Sequence, residues 1–353
     1  MIVLDRERLG MGIEVARFEE DLSAFFGRPA VCVVNGTAAL HLALQALKVG
    51  PGDEVLVQSL TYLASFQAIS ATGAKPVACD VEYETLTLDW RDAKRRLTPR
   101  TKAVMPVHYA GGVGRLDDIY RFADDHNLRV IEDAAHAFGS AHRGQRVGSF
   151  GDIACFSFDG IKNITSGEGG CVVTDSADVL TAVRDARLLG VEGDSEKRRE
   201  GARTWAPSVS MQGWRYHMSD VMAAIGRAQL TRFDEFKNKR RALLDRYLVN
   251  LKGHSWVQPI AYLPESVVPH IFAVKLLPPV DRDEVRARLD LDGIQTGIHY
   301  FPNHQLDYYR DRDGRAMPQT EAIASQLLSL PLHVSLTADD VDHVCDALAR
   351  AAG

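Results

Sequence analysis

Long apolar runs are missing from this sequence. No stretch approaches the ~20 residues that span a bilayer, and the opening MIVLDRERLG carries acidic residues and lacks the apolar segment of a secretion signal. Cysteine is sparse. Cys32, Cys79, Cys155, Cys171 and Cys345 stand far apart with no C-x-x-C pair, and most lie in apolar stretches such as VCVV and IACFSF, so they read as small buried apolar residues. No metal is expected. An excess of one charge is absent too: 41 Lys and Arg against 47 Asp and Glu give a net charge of -6, spread along the chain rather than in blocks. Nothing here calls for nucleic acid or a membrane, and the cytoplasm is the expected location. Internal repeats and low-complexity tracts are also lacking.

What is present is ordinary globular composition, 46% apolar and 25% charged. A chain of 353 residues exceeds the ~250–300 at which single cores tend to split. We expect a large domain over residues 1–235 and a smaller one over 236–353. Short β-branched runs alternate with helical stretches: VCVV (31–34), EVLV (54–57), KPVAC (75–79), KAVMPVH (102–108), LRVIED (128–133), IACFSF (153–158) and GCVVTD (170–175). That alternation predicts an α/β sheet. Several runs are apolar throughout, as in a mostly parallel sheet covered by helices on both faces, and such sheets bind ligands at the carboxyl ends of their strands.

After Gly190 the polar, aperiodic stretch VEGDSEKRREGARTWAPSVSMQG predicts a long excursion. From Ser219 to Leu251 helical spacing returns, as one long helix or two leading into the second domain. The remainder mixes strand and helix: HIFAVKLL, the charged helix DRDEVRARLDLDG, the turn-rich GIHYFPNHQLDYY, and a final helix near 337–351.

Three segments carry chemistry. In FSFDGIKNITSGEGG (156–170) an apolar strand is followed by Lys162 and a glycine-rich turn into another strand. A lysine there sits at the ligand-binding end, where partial desolvation would leave its amine neutral often enough to attack a carbonyl; taken alone it also reads as a surface residue. Asp133 ends the buried run LRVIED, either as a helix-capping aspartate or as the carboxylate that a pyridoxal ring nitrogen needs in order to stay protonated. In VVNGTAALH (33–41) a strand passes through a small-residue turn into a helix whose free N–H groups could seat a phosphate. Many such turns bind nothing. The run GGVG (111–114) lacks the third glycine and the later acidic residue of a dinucleotide fingerprint.

Together these residues resemble the sugar aminotransferases of the DegT/DnrJ/EryC1/StrS family, with the type I pyridoxal-phosphate fold. The match runs from GIEVARFE (12–19) through NGTAALHLAL, PGDEVLVQSLTYLAS, VIEDAAHAFGS, FSFDGIKNITSGEGG and MSDVMAAIG to GIQTGIHYFPNH and LSLPLHVSLT. The resemblance implies a large PLP-binding domain with a mostly parallel seven-stranded sheet between helices and a smaller α+β C-terminal domain. It implies pyridoxal 5'-phosphate as cofactor, with pyridoxamine 5'-phosphate as its intermediate form. Lys162 matches the Schiff-base lysine, which is also the proton-moving base, and Asp133 the partner of the ring nitrogen. Tyr62 matches the aromatic that stacks on the ring, and His136 stands where the family has glutamine or histidine near the ring oxygen. Gly36, Thr37 and Ser157 match phosphate contacts. The segment GWRYHMS (213–219) matches a loop that reaches the neighbouring subunit's cofactor, which implies a homodimer with shared sites; Arg215, standing where many relatives have asparagine, is expected to contact the partner's cofactor phosphate or the substrate's diphosphate, since a guanidinium suits phosphate bidentately. His299 and Tyr300 lie where the small domain folds over the site, in reach of the sugar.

The implied reaction takes an amino group from L-glutamate and gives it to a nucleotide-linked keto sugar, in amino-sugar biosynthesis. The loop ending MSDVMAAIG looks more like members acting on 4-keto-6-deoxy sugars than like those acting at carbon three. A ketocyclitol or 3-keto sugar aminotransferase would share the cofactor motifs. The family's dehydratases replace the lysine with histidine, whereas Lys162 is present; a non-catalytic, PLP-binding regulatory protein is the reading from another class. The chain departs from many relatives in having Asp159-Gly160 in place of His-Pro, Arg215 and His217 in place of asparagine and arginine, and a shorter amino terminus.

Overall fold

In a computed structural model the structure describes residues 9–194, 197, 206–261, 266–310 and 315–353. The excursion expected over 191–213 lies partly outside the described residues, as does the opening segment. Seven strands form the main sheet: β1 (Ala30–Val33), β2 (Glu54–Gln58), β3 (Lys75–Cys79), β4 (Thr101–Met105), β5 (Arg129–Asp133), then, after the small hairpin β6 (Ala141–His142) and β7 (Gln145–Arg146), β8 (Ile153–Ser157) and β9 (Gly170–Val173). Their order is β1-β9-β8-β5-β4-β2-β3. β3, β2, β4, β5 and β8 pair in parallel, while β9 runs antiparallel to both β8 and β1. All strands but β9 therefore point the same way, and their carboxyl ends share one edge. Pro76 sits in β3, an edge strand, where a missing N–H is tolerated.

The strands are apolar on both sides because both sides are covered. Along β8, Ile153 and Cys155 join the core under helices α2 (Gly36–Ala46), α3 (Leu63–Ala71) and, further along the chain, Ala177–Ala186. Ala154 and Phe156 face the opposite core with α1 (Ile13–Phe26), where Phe25, Phe26, Phe138, Phe156 and Phe233 pack ring against ring. That alternation is the two-residue period of a strand. Helices α4 (Trp90–Arg95) and α5 (Leu116–Asp125) follow before α6, the helix at 177–186 just described. All five cysteines are buried and free, as their apolar settings predict.

Two helices follow, α7 (Asp220–Thr231) and α8 (Phe233–Asn250). α8 serves two cores: Phe233 and Phe236 pack with the main sheet, whereas Leu243, Leu244 and Tyr247 pack in a second core. That second core is built on an antiparallel sheet of β10 (Val257–Pro259), β11 (Phe272–Leu276) and β12 (Leu327–Leu330), with α9 (Arg282–Leu291), α10 (Pro318–Ala324) and α11 (Ala338–Ala352). A capping box of Thr337 and Asp340 starts α11. Asn303 joins the two units, its amide donating to the carbonyls of Ser59 (3.0 Å) and Thr61 (2.7 Å) beyond β2. Among the described residues no helix is long and apolar enough to cross a membrane.

Candidate active site

The carboxyl ends of β1, β2, β5 and β8 surround a cavity of about 400 Å³. Each end contributes a different group. At the end of β1, Asn35 caps α2 by accepting from the Ala38 N–H at 2.8 Å, and the N–H groups of Gly36 and Thr37 have no hydrogen-bond partner among the described residues. This leaves an anion seat at a helix start. A side chain at position 36 would place its Cβ 2.9 Å from that of Ser157, so only glycine lets α2 come this close to β8. Gly170 is constrained in the same way, since a Cβ there would lie 2.7 Å from the Asn35 carbonyl.

Asp133 closes β5 and is buried. Its carboxylate accepts from the Ser65 hydroxyl at 2.7 Å and the Ala135 N–H at 3.2 Å. Burial raises its pKa, opposed by those two hydrogen bonds and by the charges of Lys162 and His108. Lys162 reaches the same cavity from the turn after β8. Burial lowers its pKa to about 8, against the pull of Asp133 and Asp159, so that near neutral pH a useful fraction of the amine is a free nucleophile. Its Nζ lies 3.3 Å from His270 Nε2.

His136 is neutral here, its pKa held well below the usual value by burial and then by Lys162 and His299. Its Nδ1 accepts the Ala110 N–H (3.3 Å), so the ring proton sits on Nε2, which faces the Tyr300 hydroxyl at 3.0 Å. Tyr62 precedes α3 and is 61% exposed, its ring tilted against Tyr300 at 5.7 Å. An aromatic face left open at the rim of a cavity is a platform for a planar ligand. His299 is fixed by Ser329 Oγ at 2.8 Å, and its carbonyl accepts from the Tyr109 hydroxyl.

The structure thus brings Gly36, Thr37, Tyr62, Asp133, His136, Ser157, Lys162, His299 and Tyr300 around one cavity. Arg215 is elsewhere: it is exposed, bridges to Leu188, and does not line the cavity of its own chain. Reading the sequence missed Asn35, Thr61, Asp159 and Glu168, which also line the cavity, and His270. Asn35 carried a signal, a capping residue before a small-residue turn. His270 carried none beyond being a histidine ahead of an apolar strand. The arrangement offers an anion seat, a buried carboxylate, an aromatic platform and a deprotonatable amine in one enclosure.

The sequence profile of the DegT/DnrJ/EryC1/StrS aminotransferase family matches residues 2–349. Among solved structures, DesV of S. venezuelae, in complex with a ketimine intermediate, is 36% identical; the alignment covers 99% of this chain and 92% of that one, with a TM-score of 0.90. DesI, solved in the presence of its TDP-sugar product, is 32% identical over 99% and 88% of the two chains, with a TM-score of 0.89. The PLP form of Spr1654 from Streptococcus pneumoniae, described as a sugar aminotransferase, is 28% identical over 99% and 94%, with a TM-score of 0.91.

Proposed function

We propose, from the premise that this chain belongs to the DegT/DnrJ/EryC1/StrS aminotransferase family and is a pyridoxal-phosphate-dependent aminotransferase, that it moves an amino group from L-glutamate to a nucleotide-linked keto sugar. The observation that carries the reading is Lys162, an amine with a pKa of about 8 sharing one cavity with Asp133 and an open helix start. Support for the sugar nucleotide comes from DesI, whose structure holds a TDP-sugar product. A 4-keto-6-deoxy sugar is the preferred acceptor, on the resemblance of the loop ending MSDVMAAIG.

The donor set fits the cofactor. Gly36, Thr37 and Ser157 would hold its phosphate, Asp133 its ring nitrogen, Tyr62 one ring face, and His136 would stand near the ring oxygen. When bound, the cofactor supplies a carbonyl that exchanges nitrogen and a ring that accepts the electrons left behind as a proton departs. Asp133 contributes a charge whose burial favours pairing with a cation, which keeps the ring nitrogen protonated. Lys162 would hold the cofactor through Nζ and would be the base that takes the substrate's proton. Neutral His136 donates through Nε2 and leaves no extra cation beside Lys162. His299 and Tyr300, brought in by the second unit, close the cavity on the sugar side. In the balanced reaction glutamate leaves as 2-oxoglutarate and the ketone becomes an amine.

Two chains would share the sites. The exposed Arg215 would then serve its partner's phosphate or the substrate's diphosphate, bidentately. Replacing Arg215 with alanine should weaken cofactor and sugar-nucleotide binding, and unchanged affinities would remove this part of the reading. The central test is a screen of nucleotide-linked keto sugars and ketocyclitols with glutamate, followed as 2-oxoglutarate formed. Turnover of a nucleotide-linked 4-keto-6-deoxy sugar supports the proposal; turnover of ketocyclitols alone overturns it.

A further inference from the structure

A cavity of about 500 Å³ runs along the edge strand β3 and shares no lining residue with the active site. Its charged groups gather at the amino ends of the strands, where Glu54 begins β2, Lys75 begins β3 and Arg100 precedes β4. The reacting groups sit at the carboxyl ends, and the five residues of β2 put roughly 17 Å between the two sets. Five basic residues, Lys75, Arg96, Arg100, Arg310 and Arg315, line this cavity against one acid, Glu54. Three of the five are matched: Arg100 by Glu54 at 2.7 Å, Arg310 by Asp307 at 2.8 Å and Arg96 by Asp92 at 2.6 Å. Lys75 and Arg315 are exposed and have no hydrogen-bond or ion-pair partner among the described residues. Glu54 is already occupied, since it also accepts the Thr98 hydroxyl at 2.5 Å.

Arg96 adds a buried donor to this rim. It is 5% exposed, with Nε on Asp92 and Nη2 on the Ala316 carbonyl at 3.1 Å. Its Nη1 bonds to nothing and is not among the orphan atoms sealed from solvent, so this nitrogen is the one left to the cavity. Arg28, as deeply buried at 6%, spends all three nitrogens, on Asp175 and on four carbonyls from Gly148 to Asp152. Beside the cations Tyr308 is 80% exposed, its ring edge-on to Tyr309 at 4.9 Å, and Tyr309 is itself anchored on Phe66 and Ser70. An open ring next to gathered cations suits a planar base joined to phosphates. The volume lies within the ~300–1,000 Å³ of small-molecule sites.

We propose that this cavity is a second ligand site that takes a nucleoside phosphate, with its phosphates on Lys75 and Arg96 and its base on Tyr308. The test titrates the full chain by calorimetry with ADP, pyrophosphate and ADP-glucose, after loading with pyridoxal phosphate so that the active-site anion seat is filled. Wild type should bind ADP and pyrophosphate. Lys75→Glu, a charge reversal at an exposed strand end, and Arg96→Gln should each weaken both by about tenfold or more. Tyr308→Ala should weaken ADP by about fivefold or more, the low end of what stacking one base on an aromatic ring contributes, and leave pyrophosphate within about twofold. No binding of ADP to wild type, or a Lys75→Glu affinity within about twofold of it, overturns the site; equal effects of Tyr308→Ala on ADP and pyrophosphate overturn its assignment to a nucleotide. If Arg96→Gln does not fold, the two variants at exposed positions decide. ADP-glucose bound as tightly as ADP with the same dependence on Lys75 supports the site as one for the nucleotide part of a sugar nucleotide, and its exclusion supports a free nucleotide.

Discussion

Glu132 and Asp133 are adjacent on β5 and face opposite sides of the sheet. Glu132, fully enclosed, accepts from His108 Nε2 at 2.6 Å and from the Tyr120 hydroxyl at 2.6 Å; Tyr120 in turn accepts the Asp152 N–H at 3.1 Å. Asp133, also buried, has a serine hydroxyl and one N–H, and its remaining acceptor capacity faces a cavity. The first carboxylate belongs to a network buried within the core, away from the cavity, which fixes structure. The second is incomplete within its own chain, and incompleteness beside a cavity is what marks a group reserved for a ligand.

Substitutions can break or sharpen that contrast. The largest effect belongs to Lys162→Ala, which should lower turnover by at least the ~10²–10⁴-fold typical of a lost acid–base group and remove the absorption band of the lysine-bound cofactor, both read by spectrophotometry. Asp133→Asn should follow. Loss of a buried charge partner costs about 2–5 kcal/mol, or roughly 30- to 5,000-fold in turnover, with the fold retained by circular dichroism. Gly36→Ala forces α2 away from Ser157 and should weaken cofactor binding about tenfold, the lower part of the ~1–3 kcal/mol range for overpacking, measured by cofactor titration of the apoenzyme. On the other face, Glu132→Gln should lower stability by ~1–3 kcal/mol, read as a fall in thermal midpoint, with turnover per folded molecule within twofold of wild type. A collapse of turnover there would erase the distinction between the faces.

The smallest effect is a displaced midpoint. Lys162 is depressed to about 8, so its neutral fraction in the apoenzyme rises from roughly a tenth at pH 7 to about half at pH 8. Trapping by a carbonyl reagent and borohydride should therefore climb with pH around 8. A midpoint near the ordinary lysine value would contradict the burial seen at this position.

The sheet was legible because its strands are buried on both faces and read as apolar runs; each of the seven runs is a strand. α7 and α8 also appeared from their periodicity. β10 was not foreseen, being three residues with a terminal proline. Within the site, Lys162, Asp133 and the Gly36–Thr37 turn were visible because each follows or ends a strand, and a parallel sheet gathers strand ends. His270 was not, for a different reason. It meets Lys162 across 108 positions of sequence, and nothing in local pattern says so.

The sharing of α8 between two cores has a consequence for recombination. A chimera of two relatives joined at residue 235 would set one parent's Phe233 and the other's Phe236 side by side against the ring cluster, and would ask Leu243, Leu244 and Tyr247 to be carried on a helix begun by a stranger. A seam in the turn after Leu251, beyond the helix, keeps α8 whole and its main-sheet contacts within one parent, and leaves the mismatch only where Leu243, Leu244 and Tyr247 meet the second core. Exchange there would transplant His270, His299, Tyr300 and β12 as a cassette while leaving Asp133 and Lys162 in place.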